Sequence, residues 1–419
     1  MSSGSLSQRF NKSVIVSETR KALVVRNSAS IGTQNTDSPS TFQVDLPQSG
    51  WVVLSEGKLT MDLNVTQAGA GTAALKNGAS SILNTGRFIC GGVPFEDISN
   101  LHVLARGIHD LTSDNDSSTR GGWAYGYDSN SNLDASFGKL ATVRGGGTTG
   151  TGFHNVSLDL PMGILKTDIP IPLFALPPCS LEFGMNQTKE ACFLSNYAAG
   201  DKANVKNVRY HAAIYETTRE HNEDAMRKIN SEEGLSIPVT TWSSTTFTTD
   251  TGTEQEALIS SSARSAKAVL LMQRKAANIN EEAVEYQFVR DNLSTLHLQV
   301  GSSIYPNSPM DVRSDAYLEV QKAMGHSIGE SLVKSDITKV EYFGADADND
   351  TTSTKAYYGF NLEKIVNDSQ IIGSDLGSSP LRLKMKYQAA PTASNQFYAY
   401  VQRDGNLVIK ANGDVKMVV

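Results

Sequence analysis

The chain has 419 residues and a formal net charge of −7. That is length enough for two hydrophobic cores of ordinary size, and the wrong sign for a protein that coats nucleic acid over its whole surface. Charged residues reach only 19%, while the 34 glycines add to an abundance of Ser, Thr and Asn, a balance that favours strands and turns over solvated helices.

The first element is a basic arm over 1–39. Its first 26 residues carry Arg9, Lys12, Arg20, Lys21 and Arg26 against one acid, Glu18. Such an arm either touches an anionic surface or a neighbouring subunit, or is a solvated tail. The opening MSSGSLSQRFNKS lacks the apolar run of a signal peptide, and no window approaches the roughly 18 apolar residues of a membrane span. Synthesis in the cytosol follows as the expectation, with Cys90, Cys179 and Cys192 as reduced thiols.

Residues 40–215 read as a first sandwich. In KLTMDLNV, Leu59, Met61, Leu63 and Val65 point one way and Lys58, Thr60, Asp62 and Asn64 the other, the period-two signature of a half-buried strand. The alternation returns in NVSLDL (155–160), LHLQV (296–300) and LRLKMKYQ (381–388). Long polar segments at 66–84, 112–132 and 344–354 read as loops that cap one end of the fold. A helical connector over 216–234 pairs Glu223 with Arg227 and Asp224 with Lys228 at favourable i, i+4 spacing.

Residues 235–419 read as a second sandwich. Its opening, TEQEALISSSARSAKAVLLMQRK, shares the cadence of TFQVDLPQSGWVVLSEGKLTMDLNVT in the first half, a repeat of pattern that points to one topology used twice. In LHLQVGSSIYPNSPMDVRSDAYLEVQKAM a strand breaks at Gly301, crosses a loop bearing Tyr305, Pro306 and Pro309, and enters a short helix. That helix is capped by Ser314, striped by Ala316, Tyr317, Val320, Ala323 and Met324, and ended by Gly325. The stripe is expected to lie as a lid on the second sandwich, its approach stiffened by the two prolines. At the C-terminus, Asp404-Gly405 and Asn412-Gly413 are expected to turn a three-stranded meander.

Motifs of catalysis lack their contexts. Gly145 to Gly150 spells G-x-G-x-x-G, but a strand follows where a helix N-terminus would have to meet a pyrophosphate. Gly325-His326-Ser327-Ile328-Gly329 spells a nucleophile elbow, but a helix precedes it where a strand should. Asp346, Asp348 and Asp350 lack the Gly and Glu that complete a calcium loop, and the seven histidines form no zinc-spaced pair. Nothing here calls for a cofactor or a metal, and no enzyme is expected.

An all-β chain with a few short helices and two tandem antiparallel β-sandwiches resembles the double jelly-roll major capsid proteins of tailless icosahedral viruses, a likeness that implies eight strands in each sandwich. The type is that of polinton-like viruses, virophages and tailless phages. The likeness is carried locally by VKNVRYHAAIYE, by LQVGSSIYPNSPM with AYLEVQKAMG, and by AYVQRDGNLVIKANGDVKMVV. It implies a homotrimer of pseudo-hexameric outline that tiles a virus shell beside neighbouring capsomers, a penton protein and minor capsid proteins, with a location in the virion. It also implies that Arg9, Lys12, Arg20, Lys21 and Arg26 face inward, toward a neighbour, an inner membrane or the genome. The alternative is a tandem β-sandwich adhesin, fibre or carbohydrate-binding protein, whose dispersed tryptophans would line a glycan platform.

Overall fold

The computed structural model of the chain describes residues 15–24, 34–35, 41–66, 79–112, 154–158, 160–186, 202–261, 263–278, 287–325, 335, 337–344, 353–363, 373–377, 380–391 and 393–418. Strands of the first half are β1 (Ile15–Val24), β2 (Thr41–Asp45), β3 (Trp51–Thr66), β4 (Leu83–Cys90), β5 (Val93–Ser99), β6 (His154–Leu158), β7 (Cys179–Met185) and β8 (Lys202–Thr217). Those of the second are β9 (Leu235–Thr248), β10 (Glu254–Ile259), β11 (Ala266–Lys275), β12 (Leu293–Val300), β13 (Ser303–Asp311), β14 (Tyr357–Asn361), β15 (Leu381–Tyr387) and β16 (Asn395–Ile409), with a short β17 (Val415–Val418) at the end.

Among the described residues each half sets one four-stranded ladder over another, with the two-residue strands Gln34–Asn35 and Ile171–Pro172 added beside β8 and β3. The first pairs β1-β8-β3-β6 in one sheet and β2-β7-β4-β5 in the other, and the second pairs β9-β16-β11-β14 and β10-β15-β12-β13. Adding eight to every strand number of the first half gives the second, so one jelly-roll topology is used twice. The cadence shared by the two openings is β2 running into β3 and β10 running into β11. The halves are not separate, because β5 and β9 pair in parallel at Asp97 and Ser243, joining one sheet from each sandwich into a single nine-stranded sheet.

Alternation explains which faces are buried. Along β15, Leu381, Leu383, Met385 and Tyr387 are buried while Arg382 and Lys386 stay exposed. Each such side chain stabilises by about 1.5–3 kcal/mol when fully buried. Within the nine-stranded sheet, β11 and β14 are covered on both faces. In β11, Val269 and Leu271 belong to the interior of the second sandwich, whereas Ala268, Leu270 and Met272 join the larger cluster that continues from the first.

Helix α1 (Leu101–Thr112) follows β5, and α3 (Ala316–Ala323) follows the topologically equivalent β13. The helix in the second half is therefore one of a pair. Helix α2 (Arg219–Ile229) links the sandwiches and a short α4 (Lys339–Phe343) precedes β14. In α2 the ion pairs are Arg219 with Glu223, at i, i+4, and Asp224 with Arg227, at i, i+3, in place of the expected Glu223–Arg227 and Asp224–Lys228.

Three local expectations are corrected. Residues 15–24 form an edge strand hydrogen-bonded to β8, so this part of the arm is sheet, with Arg20 opposite Ala213 and Lys21 opposite Ala212. Asp404-Gly405 makes no turn, because β9 offers a partner along the whole of β16, with Val239 opposite Gly405 and Thr240 opposite Asp404. Asn412-Gly413 does turn the chain, Gly413 taking a φ of 74°, and β17 pairs back on β16. Finally, Tyr305, Pro306 and Pro309 lie within β13, not in a loop. Leu296 faces Met310 and Leu298 faces Tyr305, so the segment between those partners bulges out of the ladder. Proline has no N–H to contribute to a ladder, and an edge strand with a bulge tolerates it.

Candidate functional site: the seam between the sandwiches

The strand β5 places Glu96 at the seam. Phe88 faces Glu96 and the next pair is Ile89 with Pro94, so Phe95 is an extra residue, and the bulge turns Glu96 inward with Ile98. Its carboxylate accepts three backbone N–H groups: Gly163 at 2.8 Å, Ile164 at 3.0 Å and Trp242 on β9 at 2.8 Å. One buried side chain thus ties β5 to the 160–163 loop of its own sandwich and to the first strand of the other. Burial pushes the Glu96 carboxyl up to about 7, against the pull of the three N–H donors and of Arg403. Gly163 is required there, since a Cβ at that position would lie 2.4 Å from the carbonyl oxygen of Thr240.

Further bonds continue the seam. The Ser99 N–H donates to Ser244 Oγ at 2.8 Å, Asn100 Nδ2 to Thr246 Oγ1 at 3.2 Å, and the Tyr400 hydroxyl to the Asn100 carbonyl at 2.8 Å. Arg403 Nε donates to Thr241 Oγ1 at 3.0 Å.

Helix α1 then crosses onto the second sandwich. Gly107 faces Met272 of β11 and Tyr357 of β14, where a Cβ would meet the Met272 Cε at 2.0 Å. Three residues on, Asp110 accepts the Tyr357 hydroxyl and, at 2.8 Å, Arg106 Nε. Burial raises the Asp110 carboxyl, but Arg106, Lys355 and the Tyr357 hydroxyl outweigh it and hold the group below the usual carboxylate range. Burial also lowers His109 to about 4, with Arg106 and Lys355 adding to the effect. Helix α3 covers the same sheet beside it: Val320 and Ala323 are buried over Gly359 of β14, whose Cβ position lies 2.7 Å from the Val320 Cα. Met324 is half-buried, and the Tyr305 hydroxyl hydrogen-bonds Ser374 Oγ at 3.2 Å. The helix begins after Asp315, without a side-chain cap from Ser314, whose hydroxyl donates to the Asp315 carboxylate instead.

Other sequence-level candidates fall elsewhere. Arg9, Lys12 and Arg26 lie outside the described residues, as do the G-x-G-x-x-G run, His326 to Gly329, the Asp346 to Asp350 run, Cys192 and most of the long loops. Trp51 and Trp242, which a glycan platform would need at the surface, are 0% and 5% exposed. A groove of about 1000 Å³ beside α2 is lined by Trp51, Phe174, Asn222 and Met226 among others. Trp51 Nε1 is already committed there, donating to Asn222 Oδ1 at 2.9 Å. Among the described residues no group of three or more His, Cys, Asp or Glu side chains could hold a metal, and no helix is long and apolar enough to cross a membrane.

Sequence reading missed Glu96, Asp110 and α1. The signal for α1 was present in Leu101, Leu104, Ile108 and Leu111, spaced for one helical face after Asn100. The signal for Glu96 was a charge sharing an inward parity with Ile98.

No protein-family model matches the chain, and no curated protein matches it. Solved structures do. The Faustovirus major capsid protein aligns over 98% of this chain and 92% of its own, with a TM-score of 0.65 and 8% identity. The PBCV-1 virus capsid aligns over 98% of both chains at a TM-score of 0.62 and 10% identity. The mavirus major capsid protein covers 96% of this chain and 90% of its own, at 0.55 and 8%. At such identities the likeness is one of fold, and that fold is the double jelly roll of these capsid proteins.

Proposed function

We propose that this chain is a structural protein, a major capsid protein whose trimers of pseudo-hexameric outline tile an icosahedral virus shell. The observation that carries the reading is the end-to-end match of both sandwiches, in one order, to capsid proteins of this architecture. Physical logic supports it. Folding two sheets face to face protects their edges, and joining the two sandwiches through one sheet makes a wide, stiff prism whose flanks can repeat a contact by symmetry. The seam described above serves stiffness, not chemistry, and the reading includes no catalysis and no cofactor.

In this reading the chain resides in the virion after synthesis in the host cytoplasm. It meets neighbouring capsomers, a penton protein and minor capsid proteins. Arg9, Lys12, Arg20, Lys21 and Arg26 make inward contacts with a neighbour, an inner membrane or the genome, and β1 anchors that segment at the edge of its sheet. Mass photometry of the purified chain tests the proposal: a species of three times the chain mass is expected, and a protein that stays monomeric at every concentration overturns it.

A further inference from the structure

Cys90 ends β4 and Cys179 begins β7, and the two are directly opposite in the antiparallel ladder. The Gly91 N–H donates to the Pro178 carbonyl at 3.0 Å, one residue beyond the pair. That bond places the cysteines at a non-hydrogen-bonded site, where facing Cα atoms approach to about 4.5 Å, within the range that a disulfide spans. The two sulfurs are already 2.8 Å apart, and both thiols also point at the Pro177 carbonyl. Both side chains are buried, yet the neighbouring Gly91, Gly92 and Pro178 are exposed, so a small reagent has to open only the end of the sheet. No third ligand stands nearby to make this a metal site among the described residues.

We propose that Cys90 and Cys179 are a redox-responsive pair that closes to a cross-strand disulfide when the protein meets a low-molecular-weight disulfide such as oxidised glutathione. The step balances by exchange. One cysteine thiolate attacks the reagent, breaking its S–S bond, releasing one small thiol and leaving a mixed disulfide. The second thiolate attacks the protein sulfur of that intermediate, forms the Cys90–Cys179 bond and releases the second small thiol. The protein loses two electrons, the reagent gains them, and the two cysteine protons end on the released thiols.

The consequence is a staple across β4 and β7 that encloses α1, Glu96 and the first sandwich's side of the seam in one covalent loop. The hydrogen bond to Cys90 and burial hold the Cys179 thiol above its usual range, so the thiolate is scarce and closure is slow, limited by opening at the Gly91-Gly92 turn. Such a pair stays reduced during synthesis in a reducing compartment and closes after transfer to an oxidising one.

The test uses the full chain carrying Cys192→Ser, which leaves only the pair. Native protein is incubated with millimolar oxidised glutathione, quenched with acid, denatured, and its free thiols counted, with peptide mapping under non-reducing conditions. The expected result is a fall from two thiols to none and a linked peptide joining Cys90 to Cys179. Two thiols still titratable after prolonged incubation overturn the proposal, as do two separate glutathione adducts without the linked peptide. In the unsubstituted chain the same treatment leaves one thiol, and a bridge that includes Cys192 counts equally against it.

Discussion

The two sandwiches share one strand order, but they use their equivalent helices differently. Helix α3 stays at home, its Val320 and Ala323 resting on Gly359 of the strand that follows it. Helix α1 spans both, its start packed at home with Leu101 over Gly86 and His102 hydrogen-bonded to the Leu83 carbonyl, its end putting Gly107 against Met272 and Asp110 against Tyr357 of the other sandwich. The first sandwich therefore supplies the two buried carboxyl groups of the seam, Glu96 and Asp110, and the second supplies a donor to each, the Trp242 N–H and the Tyr357 hydroxyl. A duplicated topology thus fixes where a helix is, while the residues on it decide whether it also reaches the other sandwich.

The sharpest way to break this asymmetry is Asp110→Ala. The substitution leaves Arg106, whose side chain is 7% exposed, without its 2.8 Å carboxylate partner and removes the acceptor of the Tyr357 hydroxyl. Breaking a buried ion pair by removing one partner costs up to about 3–5 kcal/mol. Chemical denaturation should show that loss, and a loss under 1 kcal/mol would mean that α1 does not hold the sandwiches together.

Glu96 offers a pH-dependent handle on the same seam. Its folded pKa, pushed up to about 7, exceeds the unfolded value of 4.5, so between those values the folded chain holds more proton than the unfolded one. Its contribution to stability is accordingly complete below about pH 4.5 and falls as pH rises toward 7, by roughly 3 kcal/mol at most. His109 works in the opposite sense: lowered to about 4 from 6.5, it adds stability as pH rises through that interval, and His211 and His297 shift in the same direction. Asp404, raised by burial, acts in the same sense as Glu96. The two trends oppose one another in the wild type from pH 5 to 6.5. Glu96→Gln removes the Glu96 trend and leaves the others in place, so the difference in unfolding free energy between variant and wild type should grow in the variant's favour from pH 5 to 7. A difference independent of pH would mean that Glu96 keeps its charge across this range.

How far the sequence revealed this molecule depends on what each signal competes with. Period-two runs such as Leu381 to Tyr387 were legible because one face is core and the other water, and the alternation is nothing else. The repeat was legible as cadence for the same reason. Asp404-Gly405 misled, because local turn preference gave way to the long partner strand β9, information that lies some 160 residues away in the chain. Tyr305-Pro306 misled in the other direction, since proline argues against a strand until one knows that β13 is an edge. The seam was least legible of all. Glu96 looks like any surface acid in VPFEDIS, and only a bulge at Phe95 turns it toward backbone donors contributed by a different segment and by the other sandwich.

A smaller effect separates the two helix contacts themselves. Gly359→Ala would set its methyl 2.7 Å from the Val320 Cα and 2.8 Å from the Ala323 Cβ, so the helix α3 must shift as a body. Overpacking of that kind costs about 1–3 kcal/mol. Gly107→Ala also meets a neighbour, but the nearest atom is the Met272 Cε, the far end of a flexible chain that can swing aside. Its cost should be under about 1.5 kcal/mol, the range of core changes that repacking absorbs. Equal losses at the two sites, read as shifts in denaturation midpoint, would show that α1 is held as rigidly on foreign ground as α3 is on its own.

The smallest effect belongs to the outer face of the second sandwich, where Arg382 on β15 meets Glu256 on β10 at 2.7 Å with side chains 51% and 43% exposed. Lys386 and Glu254 repeat the pairing further along the same two strands at 3.4 Å. Exposed pairs of this kind contribute only about 0.2–1 kcal/mol, because water screens them and two long side chains must be held in one geometry. A double-mutant cycle on Arg382→Ala and Glu256→Ala should give a coupling in that range that shrinks as salt rises. A coupling above 2 kcal/mol would mean that the face is shielded from solvent in the species measured. The cycle run at low and at high protein concentration therefore reports whether β10 and β15 look outward or into a neighbour, a distinction that the seam variants cannot make.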